Sequence, residues 1–287
     1  MKFVTYKQGN HASQTGILDG GKVFPLPAAS FSNMLAVIEN ASAAREAAVQ
    51  AMAADAGLPL NEVTLLAPIA RPPRIFCIGL NYATHASESQ MAVQAVPTVF
   101  MKLASSVTGP GADVILPKNS TQPDYEAELA VVIGKPGYRI PAEKWLDHVF
   151  GYTVLNDVSA RDAQLATSQW TLGKSFPTFS PLGPAIVTAD EIADPHALDI
   201  ALTLNGEVMQ SSNTRHLIFR VPQLIEHISA LTPLEAGDII STGTPEGVGL
   251  GRKPQRWLRP GEEMVITIEG IGELRNRTVS EIQAAEA

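Results

Sequence analysis

The sequence has 287 residues and a hydrophobic content of 45%, enough to bury a core in one large domain or in a main domain with a smaller partner. Its formal net charge is -8 and its basic residues are scattered, which excludes the contiguous positive surface that DNA or RNA binding needs. No apolar run approaches the roughly 20 residues that span a bilayer, and MKFVTYKQGN lacks a secretory layout, so we expect a cytoplasmic protein without a membrane segment.

Residues 1–70 predict a small α+β domain. FVTY and the two halves of TGILDGGKVFPL, joined by a Gly-Gly turn, predict strands, and residues 31–56 predict one Ala-rich helix. Gly57 and Pro59 are typical of a helix end. Three prolines in residues 67–74 favour an extended connector. We therefore predict a boundary after residue 70, with residues 71–287 forming a second domain.

The second domain is predicted to be mainly β with some α. Helical patterns occur in AEKWLDHV and residues 217–231, too few for the βαβ alternation of a Rossmann or TIM fold. Asn205-Gly206 lies between alternating apolar residues and predicts a hairpin. A mixed or mainly antiparallel sheet is the expected core. The predicted strands are RIFCIGL, TVFMKL, DVILP, AELAVVIG, GYTVLND, ALTLNGEVMQ, DIISTG and EMVITIEGIGEL.

Two acidic residues stand at the entry of the most apolar strand. In DYEAELAVVIG, Glu126 and Glu128 are two apart, and the period of a strand points both side chains to one face. Carboxylates beside a buried sheet need a compensating cation or proton. A third acid, Asp157, closes the apolar run in GYTVLNDVSARD, so a neighbouring strand end can bring it to the same place.

Three carboxylates without a nearby Cys or His ligand favour a hard ion, Mg2+ or Mn2+, over zinc. Such a site leaves coordination positions for water and substrate. The spacing is equally compatible with Glu126 and Glu128 being solvated charges on an edge strand. Spacing therefore does not decide between these two interpretations.

Five motifs in this order, spanning about residues 73 to 279, resemble the fumarylacetoacetate hydrolase family: YATHASE, DYEAELAVVIG, NDVSARD, GKSFPTFSPLGP and GTPEGVG. The resemblance implies a catalytic domain with a β-roll or mixed β-sandwich fold, commonly dimeric. It also implies Mg2+ or Mn2+, with Ca2+ as a substitute, bound by Glu126, Glu128 and Asp157. Members cleave, decarboxylate or isomerise 2-oxo acids or their enols, often in the breakdown of aromatic compounds or sugars. Their shared intermediate is an enolate, whose charge a metal stabilises.

His85 and Glu88 lie three apart in NYATHASE, so they share a face if the segment is helical. The resemblance assigns this pair to a lid, where Glu88 orients the imidazole and His85 takes a proton from water. Polar neighbours, including Ser89 and Gln90, fit a segment that closes over substrate. The alternative is an exposed helix start with an incidental histidine.

Arg161 and Gln164 follow Asp157 by four and seven positions, so a helical turn can project all three to one side. The resemblance implies that Arg161 and Lys102 bind the substrate carboxylate. It implies that Gln164 and Lys174 hold the water or the developing oxyanion. A salt bridge to Asp162 or to a buried acid is the alternative for Arg161.

GTPEGVG lacks the GK[ST] ending of a phosphate-binding loop, which excludes that kind of nucleotide site. The resemblance instead places Thr244 beside the substrate. Cys77, among apolar residues, is predicted to be an inert core thiol. The chain departs from the family pattern at Pro177 in GKSFPTF, where many relatives have Asp, which removes a carboxylate near Lys174.

The preferred functional hypothesis is hydrolysis of a 2,4-dioxo acid such as an acylpyruvate, in which His85 activates water and a pyruvate-type enolate departs. A first alternative keeps the metal but uses the enolate for oxaloacetate-type decarboxylation or for isomerisation of a hydroxydienedioate. A second alternative is a non-catalytic binding protein that the metal stabilises. A homodimer is expected, and the expected ligand is a small 2-oxo acid.

Overall fold

The computed structural model describes residues 1–88 and 94–286. Its N-terminal part is α+β, as predicted, and the Gly20-Gly21 turn joins two strands with both glycines at positive φ. None of the described helices is long and apolar enough to cross a membrane. The N-terminal elements are β1 (Lys2–Lys7), β2 (Gln14–Asp19), β3 (Lys22–Pro25), α1 (Met34–Glu39), α2 (Ala41–Ala53), β4 (Leu58–Pro59) and β5 (Thr64–Leu66).

The prediction of one helix over residues 31–56 is wrong, because two helices meet at Asn40. The Asn40 backbone leaves the helical region at φ -118°, and its side chain donates to the carbonyl of Ala36 at 3.0 Å. Asn33 begins the first helix by accepting a hydrogen bond from the Ala36 backbone N–H at 3.0 Å. An asparagine side chain can bond to nearby backbone groups instead of continuing a helix. Asn40 therefore ends α1 and precedes α2.

The remaining chain is rich in short strands, and each predicted strand is present in whole or in part. The predicted helix AEKWLDHV is a 3₁₀ segment (Ala142–His148), and the other predicted helix begins four residues late, at Val221. The elements in chain order are β6 (Ile75–Gly79), α3 (Ala83–Glu88), β7 (Thr98–Lys102), β8 (Val107–Thr108), β9 (Asp113–Leu116), β10 (Pro123–Asp124), β11 (Ala127–Ile133), β12 (Val149–Asn156), β13 (Ser159–Ala160), α4 (Arg161–Gln164), β14 (Ser180–Thr188), β15 (Asp199–Leu204), β16 (Glu207–Asn213), α5 (Val221–Leu231), β17 (Ile239–Ser241), β18 (Glu263–Ile268), β19 (Gly272–Ser280) and α6 (Glu281–Glu286).

Two sheets form the architecture and pack face to face. The larger has the strand order β4-β3-β2-β1-β14-β12-β11-β17-β6-β7, and the smaller has the order β16-β15-β18-β19-β9. Leu129 and Tyr152 of the larger sheet share one buried cluster with Leu202 and Ile266 of the smaller. The chain is therefore mainly β with some α and has the mixed β-sandwich that the sequence predicts. The hairpin is also confirmed, since Asn205 and Gly206 both have positive φ between β15 and β16.

Strand β14 is the longest of the elements that the sequence pattern did not predict. It is nine residues long and lies between β1 and β12, where it connects the N-terminal strands to the strands of the second domain. The predicted connector, residues 67–74, contains no helix or strand. A boundary at residue 70 stays a prediction, with the larger sheet running through both parts of the chain.

Replacing Asn33 by Ala removes the side-chain acceptor at the start of α1. We expect the free energy of unfolding to fall by about 1 kcal/mol, because one helical N–H loses its partner. Asn33→Asp keeps the acceptor oxygen and is the matched control. Urea unfolding followed by circular dichroism measures the difference, and equal midpoints for the Ala variant and wild type would contradict the assignment.

Candidate metal centre and active site

The acidic strand crosses the middle of the larger sheet. Strand β11 pairs with β12 on one side and β17 on the other, and all seven of its residues are buried. Ala127 and Leu129 face the main core, so Glu126 and Glu128 point together to the opposite face. The interpretation of these acids as solvated charges on an edge strand is therefore wrong.

Asp157 reaches the same place from the neighbouring strand. In the antiparallel register Ala127 lies opposite Asn156, and the Asp157 N–H donates to the Glu126 carbonyl at 2.9 Å. The carboxylates of Glu126, Glu128 and Asp157 each offer an oxygen within 4.8 Å of the others. Their exposed fractions are only 4%, 2% and 0%. The strand argument thus predicts the position of all three acids.

Two buried lysines neutralise part of this charge. Lys174 Nζ donates to Glu126 Oε2 and to Asp157 Oδ2, both at 2.7 Å. Lys102 Nζ donates to the other Asp157 oxygen at 2.7 Å and to the carbonyl of Val158 at 3.1 Å. Asp157 is therefore bound by an ammonium group at each of its two oxygens.

The pKa shifts follow from burial and from these charge pairs. Burial acts to lower the pKa of Lys174, but the carboxylates of Asp157 and Glu126 outweigh it and leave the pKa raised. Burial wins at Lys102, whose pKa is lowered although Asp157 acts in the other direction. Burial would raise the pKa of Glu126, yet the charges of Arg161 and Lys174 hold it well below the ordinary value.

Glu128 lacks a salt-bridge partner within the described part of the chain, unlike the other two acids. Ser241 Oγ donates to Glu128 Oε2 at 2.5 Å and the Gly243 N–H donates to it at 2.9 Å. Gly243 has φ +101°, a conformation that suits glycine and aims its N–H at the carboxylate. Burial, followed by the negative charges of Asp157 and Glu126, raises the pKa of Glu128 to about 8.

These residues fit a hard divalent cation. All three donors are carboxylate oxygens, which Mg2+ and Mn2+ prefer, and one of the three carboxylates still needs a positive partner. The cluster could therefore hold a metal ion at the edge of a cavity. That cavity has a volume of about 300 Å³. Its polar lining comprises His85, Glu126, Glu128, Arg161, Gln164, Lys174 and Thr244.

Arg161 and Gln164 lie on the one-turn helix α4, which follows the acid at Asp157. Arg161 Nε donates to Asp124 Oδ2 at 2.9 Å and Nη1 donates to Gln164 Oε1 at 3.0 Å. Its Nη2 lies 2.6 Å from Glu126 Oε1 but lacks a hydrogen bond of good geometry. Arg161 therefore forms the salt bridge to a buried acid that the sequence predicts as its alternative role. Among the described residues, its Nη2 still lacks a well-aligned acceptor.

His85 and Glu88 lie on helix α3, so the predicted shared face is formed. His85 Nδ1 is 3.5 Å from Glu88 Oε2, and this nitrogen has no hydrogen-bond partner among residues 1–88 and 94–286. Both Glu88 oxygens accept instead from the Gly247 N–H at 3.1 Å. Ser89 and Gln90, the other residues of the predicted lid, lie outside the described residues.

Other predicted residues divide between the cavity and the layer behind it. Thr244 lines the cavity, and its Oγ1 accepts from Gln210 at 2.8 Å. Lys102 lies behind Asp157 and is not among the cavity-lining residues, so its contact with a substrate stays a prediction. Cys77 is fully buried, and burial raises its pKa well above the ordinary value, which fits an inert thiol. Pro177 is exposed, in the loop between Lys174 and β14.

Sequence reasoning missed the residues that hold the site residues in place. Asp124 is fully buried and accepts from Arg161 and from the backbone N–H groups of Gly249, at 2.7 Å, and Leu250, at 3.0 Å. It lies two residues before Glu126, so the same period of two that groups the glutamates extends to it. No comparable signal marked Ser241, because its role depends on β17 lying beside β11.

Comparisons with known proteins give a consistent family. The model of the fumarylacetoacetate (FAA) hydrolase C-terminal domain matches residues 74–279. The bovine (Bos taurus) protein named oxaloacetate tautomerase FAHD2A, mitochondrial, is 50% identical over 77% of this chain and 71% of its own. The name of that relative places it in the mitochondrion. The cytoplasmic location expected for this chain stays a prediction.

Two solved structures share the fold. Fumarylacetoacetate hydrolase from Exiguobacterium antarcticum has a TM-score of 0.84 and 35% identity, covering 98% of this chain and 100% of that one. Maleylpyruvate hydrolase from Sphingobium sp. SYK-6, in complex with manganese (II) ion and pyruvate, has a TM-score of 0.83 and 32% identity, covering 98% and 99%. The mixed β-sandwich is thus the fold of this family.

Glu128→Gln tests the metal centre, because the amide keeps the size of the side chain and removes its charge. Removing a residue that only hydrogen-bonds to a metal ligand lowers metal affinity by roughly tenfold. Because Glu128 is proposed as a ligand itself, we expect a larger loss of Mn2+ affinity. Isothermal titration calorimetry measures it, with Glu207→Gln, a change at an exposed strand residue, as the control. Unchanged Mn2+ affinity in Glu128→Gln would rule out this carboxylate as a ligand.

Proposed function

The chain belongs to the fumarylacetoacetate hydrolase family, and we propose that it catalyses the keto–enol tautomerisation of a small 2-oxo acid of the oxaloacetate type. The observation that carries the proposal is a buried carboxylate triad, of which Glu126 and Glu128 line a cavity that His85 also lines. The name of the bovine relative supports the reaction. This favours the isomerisation alternative over the hydrolysis predicted from the sequence.

The proposed cofactor is Mg2+ or Mn2+ at Glu126, Glu128 and Asp157. When bound, such an ion supplies a positive charge that stabilises the negative charge developing on the 2-oxo oxygen. The Mn2+ in the maleylpyruvate hydrolase structure supports this choice of ion. Lys174 and Lys102 fix both oxygens of Asp157, so this acid keeps its orientation as substrate enters.

Substrate binding is proposed for Arg161. Its guanidinium group lines the cavity, where its Nη2 lies 2.6 Å from Glu126 Oε1 in a poorly aligned contact, and a substrate carboxylate would give it a further acceptor. Asp124 and Gln164 hold the other nitrogens of the guanidinium group, which fixes its plane. Gln164 and Thr244 also line the cavity, where their polar atoms can contact the oxygens of a small acid. Lys174 would lie close to the oxygen that gains charge.

Proton transfer is proposed for His85. Tautomerisation moves one proton between C3 and the oxygen on C2 as the double bond shifts between C2=C3 and C2=O. The enzyme therefore needs an acid–base group beside C3, which gives a proton to C3 in ketonisation and removes it in enolisation. His85 lines the cavity, and its Nδ1 faces Glu88 without a hydrogen bond among the described residues. The other ring nitrogen, Nε2, would exchange a proton with substrate or water. Glu88, 3.5 Å away, is positioned to orient the ring once the contact tightens.

Hydrolysis of an acylpyruvate remains the second candidate, favoured by the hydrolase name of the manganese and pyruvate complex. It would use the same residues, with His85 activating water rather than exchanging the C3 proton. Decarboxylation of an oxaloacetate-type acid needs the same enolate. A non-catalytic binding protein would have no use for an unpartnered histidine in the cavity. Homodimer assembly stays a prediction.

Replacing His85 by Ala is expected to lower the rate of ketonisation by about 10²- to 10⁴-fold, the usual contribution of general acid–base catalysis. The Mn2+ affinity and melting temperature should stay close to those of wild type, because among the described residues the ion pair of His85 is with Glu88 and not with the three acids. His216→Ala, a change at an exposed residue, is the control. Wild-type rates in His85→Ala would remove this residue from the mechanism.

The reaction itself can be read by NMR in deuterated water with Mn2+-saturated protein. We expect enol-oxaloacetate to convert to the keto form with deuterium at C3 and unchanged carbon number, because only a proton moves. Chelation of the metal should abolish the acceleration and Mn2+ should restore it. Two acids formed from an acylpyruvate at a higher kcat/KM would favour hydrolysis, and release of carbon dioxide would favour decarboxylation.

A further inference from the structure

The cavity beside the carboxylates is lined by two chemically different groups of side chains. One group is charged or polar, and the other is apolar. Its volume of about 300 Å³ is at the lower limit of the roughly 300–1,000 Å³ found for small-molecule sites. The apolar lining therefore limits what fits. It comprises Ile78, Leu80, Phe100, Leu165, Trp170 and Leu250.

An aromatic pair lies directly beside the charged group of the cavity lining. The Nζ atom of Lys174 lies 5.1 Å from the centroid of the Phe100 ring. The Trp170 ring packs edge-on against Phe100, with the centroids 5.4 Å apart and the planes at 67°. Because Lys174 also contacts Glu126 and Asp157, contacts run without interruption from the carboxylates to Trp170.

The position of the indole is fixed from two sides. A Cβ atom at Gly79 would lie 2.5 Å from Cζ3 of Trp170, so the ring occupies the space that a side chain at position 79 would need. The Trp170 carbonyl accepts from the Lys174 N–H at 3.2 Å, which places both residues on one turn. The indole is thus a built part of the cavity wall.

We propose that Trp170 determines specificity by setting how long an apolar substituent the 2-oxo acid can carry beyond C3. The inference rests on the proposed function, which puts the 2-oxo acid end at Glu126, Glu128 and Asp157. The groups beyond C3, which in an oxaloacetate-type acid are a single carboxylate, then point toward Phe100 and Trp170. A short acid does not reach the indole, whereas a longer chain meets it and is excluded.

Oxamate and its N-butyl and N-hexyl derivatives test this by binding alone. They present the carboxylate and carbonyl of a 2-oxo acid with an alkyl chain in the place of the substituent. Isothermal titration calorimetry on Mn2+-saturated wild type should give weaker binding for N-hexyl oxamate than for oxamate. Trp170→Ala opens space for the alkyl chain, and each methylene buried there raises the affinity roughly fourfold. The affinity for N-hexyl oxamate relative to that for oxamate should therefore rise by about tenfold or more. Trp170→Phe should give an intermediate ratio.

Leu172→Ala is the matched control, because Leu172 lies on the same turn but is 77% exposed. It should keep the wild-type ratio of affinities. Equal ratios in wild type and Trp170→Ala would overturn the inference while leaving the 2-oxo acid site supported by oxamate binding. If Trp170→Ala does not fold, a wild-type ratio in Trp170→Phe overturns it equally. Failure of wild type to bind oxamate would end both the proposed function and this inference.

Discussion

The structure depends on an electrostatic constraint, the concentration of buried negative charge on the face of the larger sheet opposite the main core. A carboxylate removed from water is unstable unless positive charge or hydrogen bonds replace its hydration. The connected cluster contains four buried carboxylates, those of Asp124, Glu126, Glu128 and Asp157, and three buried bases, Lys102, Arg161 and Lys174. The bases thus leave one carboxylate without a cation, and Glu128 is the acid that no base contacts.

This imbalance explains how a metal and an acidic substrate can share the site. With all seven groups ionised the cluster carries one net negative charge, and a divalent cation turns this into one net positive charge. Under the proposed function, this positive charge would attract the C1 carboxylate of the 2-oxo acid. The negative charge that forms on the enolate oxygen would then lie close to Lys174 and Arg161, which are already fixed by their partners. Rigid pairs lower the cost of reorganisation during reaction.

Much of this was predictable because strand geometry is local. A period of two places Glu126 and Glu128 on one face, and the apolar run before Asp157 predicts its strand. Strand β14 was not predicted because it contains Pro181, Gly183 and Pro184, residue types that argue against a central strand. It nevertheless lies at the centre of the larger sheet. Other features depend on the assembled sheets, including Lys102 behind Asp157 and the packing of Trp170 at Gly79, and no local pattern encodes them.

Chemistry and substrate selection are carried by different parts of the fold. The carboxylates lie on or beside β11 and β12, which are fixed by pairing on both sides within the sheet. Leu165 and Trp170, which belong to the apolar lining of the cavity, lie on the turn from Gln164 to Lys174. Backbone hydrogen bonds within one loop hold this turn. Loops tolerate change better than central strands do. Under the proposed function, the same charged centre would serve a tautomerase or a hydrolase, and the role proposed for Trp170 assigns the choice of enolisable acid to this loop.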